Sequence, residues 1–182
     1  MILWLIRHPA VAVLPGTCYG RQDVALREPA VAALADIAGR LPLIASLRTS
    51  PALRCRRVAM HLSECRGLPA IDDDRWQELD FGAWEGRAWN DIPRAESDPW
   101  AADHWTLAPP GGESYGALSA RVAVALDALT DDRDTAIVTH AGPIRAALAL
   151  AVGPESRRLP ELDIPFGAVI GLRREGAGWA RC

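Results

Sequence analysis

The residues best equipped for chemistry in this sequence are histidines and arginines that follow short apolar runs. Ile2 to Ile6 leads into Arg7-His8, and Thr135 to Thr139 leads into His140-Ala141-Gly142-Pro143. Leu43 to Leu47 leads into Thr49-Ser50-Pro51 and then Arg54. Two guanidiniums and two imidazoles suit a phosphate dianion, because the guanidinium fork matches phosphate oxygens and is permanently charged. A neutral imidazole so placed can attack phosphorus while the positive groups stabilise the equatorial oxygens. Pro143 suits the first turn of a helix. The anion would then also meet a helix N-terminus and its free N–H groups, that of Gly142 among them.

Those runs must come from elements that end at one edge. Ile2–Ile6 and Thr135–Thr139 read as strands covered on both faces, and Leu43–Leu47 as a shorter third. Val31, Leu34, Ala35, Ala38 and Leu41 fall at helical spacing, stopped by Pro42. Ala52, Cys55, Ala59 and Leu62 line a second helix, closed by Gly67 and Pro69. Leu118, Val122, Ala125, Leu126 and Leu129 mark a third. Ile144, Ala147, Leu148 and Ala151 mark a fourth, ended by Gly153-Pro154. Ala168–Leu172 and Trp179–Arg181 read as two last strands around a turn at 175–178. Strands alternating with helices predict an α/β fold with a largely parallel sheet. Ligands bind beyond the carboxyl ends of such strands, where Arg7-His8, Arg54 and His140 fall.

Composition narrows the chemistry. All 20 basic residues are arginine, which excludes Schiff-base chemistry, a lysine general base and a Walker-type phosphate loop. A net charge of −3 argues against a nucleic-acid or membrane-surface partner. No apolar run approaches the ~20 residues of a membrane span. The N-terminal run is short and lacks the basic leader of a signal peptide, so a cytoplasmic protein is expected. Cys18, Cys55, Cys65 and Cys182 form no CxxC pair and read as plain thiols. No HxH or HExxH pattern occurs, and two nearby arginines would repel a cation, so neither metal nor other cofactor is expected. His61 and His104 lack such company and read as structural or surface residues. The 182 residues, 49% apolar, fit one domain spanning 1–182. The stretch 86–112, rich in Trp and Pro, reads as a lid-like insertion of irregular or short-helix structure.

Four segments carry a resemblance. Leu5-Ile6-Arg7-His8-Pro9 is similar to the RHG signature of the histidine phosphatase superfamily, with the phosphoglycerate-mutase-like fold. Thr49-Ser50-Pro51-Ala52-Leu53-Arg54 resembles its SSPLxR segment. Glu78-Leu79-Asp80-Phe81-Gly82-Ala83-Trp84-Glu85-Gly86 resembles its acidic segment, and Val138-Thr139-His140-Ala141-Gly142-Pro143-Ile144-Arg145 its second-histidine segment. The four occur in the family's order over residues 2 to about 150. The resemblance implies a three-layer α/β/α sandwich with a mostly parallel sheet, and a metal-independent phosphatase acting on a small phosphorylated metabolite. It implies that His8 is the nucleophile, that Arg7, Arg54 and His140 hold the phosphoryl group, and that Glu78 protonates the leaving oxygen and then helps deprotonate water. A carboxyl group enclosed beside an anionic phosphate is driven toward its protonated form, which fits that role. Asp80 and Glu85 are the rivals for it.

Gly16 to Val24, with Cys18-Tyr19-Gly20-Arg21, resembles the CYGRxDV segment of α-ribazole-phosphatase-like members. That implies α-ribazole 5′-phosphate as substrate, in cobalamin nucleotide-loop assembly; a broad-specificity sugar or metabolite phosphatase is the alternative within the family. Three positions depart from the family pattern: Pro9 replaces a glycine, Val11 a threonine and Leu14 an asparagine. Arg21 either compensates for lost phosphate contacts or is a solvated loop charge. The departures leave room for a non-catalytic phosphate sensor. Gly112-Glu113-Ser114-Tyr115-Gly116 also matches the G-x-S-x-G elbow of serine hydrolases, with Asp134 and His140 as partners. Ala108-Pro109-Pro110-Gly111 before it is loop chemistry, against that reading. Monomer and homodimer both remain open.

Overall fold

The computed structural model describes residues 1–152, 162–176 and 178–182. Among them, six strands make one sheet: β1 (Ile2–Arg7), β2 (Ser46–Thr49), β3 (Ala70–Asp72), β4 (Thr135–Thr139), β5 (Val169–Glu175) and β6 (Gly178–Arg181). Their order is β3-β2-β4-β1-β5-β6. The first four run parallel to one another, and β5 is antiparallel to both β1 and β6. The helices are α1 (Glu28–Val31), α2 (Ala33–Arg40), α3 (Leu53–Arg66), α4 (Arg94–Ala102), α5 (Tyr115–Asp127) and α6 (Ala141–Val152).

The strands read as continuous apolar runs because both faces are covered. On β1, Leu3 and Leu5 enter a core with Leu118, Val122, Ile144 and Leu148 of α5 and α6. Ile6 enters the opposite core, with Leu34 and Ile37 of α2 and Val58 and Leu62 of α3. On β4, Ile137 takes the first side and Ala136 and Val138 the second. The two-residue alternation of a strand thus feeds two helical layers, giving the expected α/β/α sandwich.

Local chemistry sets several boundaries. α2 stops at Arg40 because Pro42 forces Leu41 into extended backbone, φ −84° and ψ 119°. α3 ends at Gly67, which adopts the left-handed conformation at φ 65°. α5 starts at Ser114, whose hydroxyl accepts the Ala117 N–H at 3.2 Å. β2 begins at Ser46, three residues after the predicted start, because its ladder opens only where Thr135 of β4 meets it and Leu43 lies exposed. β3 was absent from the sequence expectation. It is a three-residue edge strand beside the acidic run Asp72-Asp73-Asp74, and its pairing with β2 creates it. The predicted end of the fourth helix at Gly153-Pro154 lies outside the described residues.

The 86–112 stretch contains a 3-10 turn at Trp89–Asp91 and α4, as its mixed composition suggested. Trp84, Trp89, Trp100 and Phe81 pack together with ring centroids 5.3 to 6.4 Å apart. Trp84 donates from its indole nitrogen to Glu96 at 3.0 Å, tying α4 to the segment before it. No helix among the described residues is long and apolar enough to cross a membrane.

Candidate active site

His8 follows β1 and His140 follows β4, neighbouring parallel strands, so both imidazoles emerge at the same sheet edge. Their ring centroids are 5.2 Å apart, edge to face. His8 Nδ1 lies 2.7 Å from the Pro9 carbonyl oxygen. A carbonyl can only accept, so Nδ1 carries the proton and Nε2 keeps its lone pair. Burial, then the Arg54 charge, pushes the His8 pKa down to about 3, which keeps the ring neutral. His140 is fully buried and held well below the ordinary histidine range by burial and the same arginine. Arg54 Nε donates to its Nδ1 at 3.2 Å, which places the His140 proton on Nε2, 2.8 Å from Ser50 Oγ. One histidine therefore offers a lone pair and the other an N–H.

Arg54, on the first turn of α3, is completely buried. Besides His140 it donates to the Gln22 carbonyl at 2.9 Å and to the Gly20 carbonyl. Three of its five N–H groups are thus committed, and the other two have no partner among the described residues. The approach of loop 20–22 needs Gly20: a Cβ there would lie 1.9 Å from the Leu79 carbonyl oxygen. Arg7 donates to the Ile164 carbonyl, and its guanidinium carbon stands 3.9 Å from the Phe166 ring centroid. Its buried Nε has no partner among the described residues. Arg21 is at the mouth of the site, 3.5 Å from both Asp80 and Glu113.

Glu78 follows the turn Asp74–Trp76 and is anchored from two directions. Its carbonyl accepts from Arg121 Nη2 at 3.0 Å, and Arg121 is itself gripped by Glu113 at 2.8 and 2.9 Å. Its carboxylate accepts the Gly142 N–H at 3.1 and 3.2 Å and that of Leu79 at 2.9 Å. The Gly142 N–H, expected to face phosphate, is given instead to the Glu78 carboxylate, which it positions. A Cβ at 142 would stand 2.1 Å from Glu78 Oε1, so any side chain there must push that carboxylate aside. Gly142→Ala is expected to dislodge the carboxylate and lower kcat about 100-fold, since small misplacements of catalytic groups cost that much. Steady-state kinetics beside a thermal melt checks this, with the melt nearly unchanged.

A cavity of about 170 Å3 is lined by Arg21, Ser50, Arg54, Gln77, Glu78 and His140, among others. His8 and Arg7 do not line it, although the His8 ring lies 5.2 Å from that of His140, which does. A second cavity, about 330 Å3, is lined by Glu78, Phe81, Trp100, His104, Tyr115 and Arg145 together with Leu79 and Gly142. Glu78 borders both, so one carboxyl group faces a polar cavity, with Arg54, Arg21 and Asp23 in its wall, and a mainly aromatic one.

The rivals are accounted for. Glu85 accepts the backbone N–H groups of Arg21, Gln22 and Phe81 and braces two loops. Asp80 accepts the Gly82 N–H at 2.9 Å. Ser114 caps α5 with no strand before it, and Asp134 accepts the Ile2 N–H at the far end of β4 from His140. No serine triad assembles. Val11 is buried in the α2/α3 core, bridged to Leu26, and Leu14 is exposed, so neither faces the phosphate cavity. His104, expected to be structural or surface, lines the aromatic cavity against Trp100 and Tyr115. Sequence reasoning gave no site role to Ser50, Arg145 or Phe166. Ser50 and Arg145 lay inside the recognised segments, whereas Phe166 sits in a stretch without pattern.

Comparison with known proteins agrees with this geometry. The profile of the histidine phosphatase superfamily (branch 1) matches residues 3–181. The bifunctional protein Rv2228c of Mycobacterium tuberculosis is 31% identical over 178 residues, covering 92% of this chain and 48% of that protein. The chain thus spans about half the length of that relative. The adenosylcobalamin/alpha-ribazole phosphatase of Salmonella typhimurium is 28% identical over 159 residues, 82% of this chain and 78% of that one. The alpha-ribazole phosphatase structure from Shigella flexneri superposes with a TM-score of 0.92 over 100% of this chain and 95% of its own, at 22% identity, a likeness of fold. With a profile match that runs from β1 into β6 and takes in both histidine segments, the chain belongs to branch 1 of the histidine phosphatase superfamily.

Proposed function

We propose that the protein is a metal-independent phosphomonoesterase working through a phosphohistidine on His8. The observation that carries this is the division of labour around Glu78, with a polar cavity on one side and an aromatic one on the other. The phosphoryl group sits with Arg54, His140 and Arg7, and the leaving group occupies the aromatic side. His8 Nε2 attacks phosphorus, the P–O ester bond breaks, and Glu78 gives its proton to the departing oxygen. The imidazole gains positive charge in this step, and its Nδ1–H bond to the Pro9 carbonyl stabilises that charge. Water then attacks phosphorus, Glu78 takes its proton, and the N–P bond breaks to release phosphate and restore His8.

The aromatic walls favour a leaving group with a ring system, and α-ribazole 5′-phosphate is the substrate proposed. Its benzimidazole would lie among Phe81, Trp100 and Tyr115, with the 86–112 segment as a cover. A screen of phosphomonoesters with EDTA present tests both parts. Turnover is expected to survive chelation, and α-ribazole phosphate to exceed glycerol and sugar phosphates in kcat/KM by about tenfold or more. A sugar phosphate in first place would remove the substrate and leave the mechanism. No turnover of any ester would favour a phosphate sensor.

A further inference from the structure

We infer that Phe166 is a positioning residue that orients Arg7 toward the phosphoryl group; this rests on the phosphate-binding role proposed for Arg7. The segment 164–168 closes around the end of β1. The Arg7 N–H donates to the Ala168 carbonyl at 2.9 Å, and the Gly167 N–H to the His8 carbonyl at 3.3 Å. Arg7 Nη1 donates to the Ile164 carbonyl. The Phe166 ring then lies beneath the guanidinium, 3.9 Å from its carbon, and 5.8 Å from the His8 ring centroid.

Two features separate this contact from ordinary packing. Phe166 is 46% exposed and borders an open cavity of about 350 Å3 lined by Val11, Val13, Leu14 and Tyr19, so core burial does not hold the ring. The contact places the guanidinium carbon over the face of the ring, and the buried Nε of Arg7 has no partner among the described residues. Attraction from the ring quadrupole therefore holds the guanidinium without taking up that donor. An aliphatic residue of similar volume fills the space but supplies no such attraction.

The test measures kcat, KM and inhibition by orthovanadate for Phe166→Leu, Phe166→Tyr, Arg7→Ala and the Arg7→Ala/Phe166→Leu double variant. Phe166→Leu should lower kcat/KM and weaken vanadate binding in parallel, each about tenfold, the scale of a partly desolvated cation–π contact. Phe166→Tyr keeps the ring and should restore both. In the Arg7→Ala background, Phe166→Leu should add no further loss. A Phe166→Leu enzyme within about twofold of wild type, or a loss that persists undiminished without Arg7, overturns the inference while leaving the phosphate role of Arg7 intact. Full activity and vanadate affinity in Arg7→Ala overturn that phosphate role, and the inference with it.

Discussion

His8→Asn is expected to reduce turnover of every phosphomonoester by at least about 10⁴-fold, as removal of a covalent nucleophile does. Asparagine can keep a polar group near the Pro9 carbonyl, but it has no lone pair able to take Nε2's place. Rapid mixing of wild-type enzyme with labelled ester, quenched in alkali, should trap one acid-labile phosphoryl group per chain, and the variant should trap none. Retention of more than a few per cent of activity, or an undiminished phosphoenzyme, would remove His8 from the role. The same substitution has a signature in stability. His8 is neutral in the fold down to about pH 3, whereas an unfolded histidine protonates near 6.5. The unfolded chain thus binds the extra proton first, so this contribution is complete above about pH 6.5 and is lost as the pH falls toward 3. Denaturant titrations should show a shallower loss over that window in His8→Asn, with the part due to His140 remaining.

Glu78→Gln is expected to separate substrates by their leaving groups. Glutamine keeps the shape, and its amide oxygen can still accept the Gly142 N–H, but it has no proton to transfer. For an alkyl phosphate, kcat/KM should fall about 10² to 10⁴-fold, the range of general acid catalysis. For p-nitrophenyl phosphate the leaving phenolate needs no proton, so kcat/KM, which reports the steps up to ester cleavage, should change little. Its kcat should still fall, because attack of water on the phosphohistidine has lost its base. A pre-steady-state burst of nitrophenol would then appear. Equal losses for both esters would reduce Glu78 to a structural part. The same leaving-group dependence in Asp80→Asn or Glu85→Gln would transfer the acid role, against the backbone N–H groups that both carboxylates now hold.

The legible part of the fold was the part whose signal is local. β1 and β4 show as unbroken apolar runs because each is covered on both faces, and Arg7-His8 and His140 follow because ligand sites lie past such strand ends. The three-residue β3 carries no such signal, since pairing with β2 makes it a strand. Glu78 was legible as a motif residue among rival carboxyls. What the tertiary structure adds is that Glu78, unlike Asp80 and Glu85, borders both cavities.

By itself, then, the sequence determined the chemistry available here: arginine-only charge, two histidines after strands, an acid segment between them, and their order along the chain. Tertiary structure decided how these groups divide the work. The Gly142 N–H meets a carboxylate 64 residues away in sequence, a partner that no local pattern announces. Arg7 is held by a carbonyl 157 residues distant and by a ring two residues beyond it. The two cavities that meet at Glu78 are bounded by loops that share no sequence pattern. Periodicity records which face of an element is buried; it does not record which distant segment buries it, and at this site the distant segments set the His140 tautomer, the partners of the arginines and the shape left for a substrate.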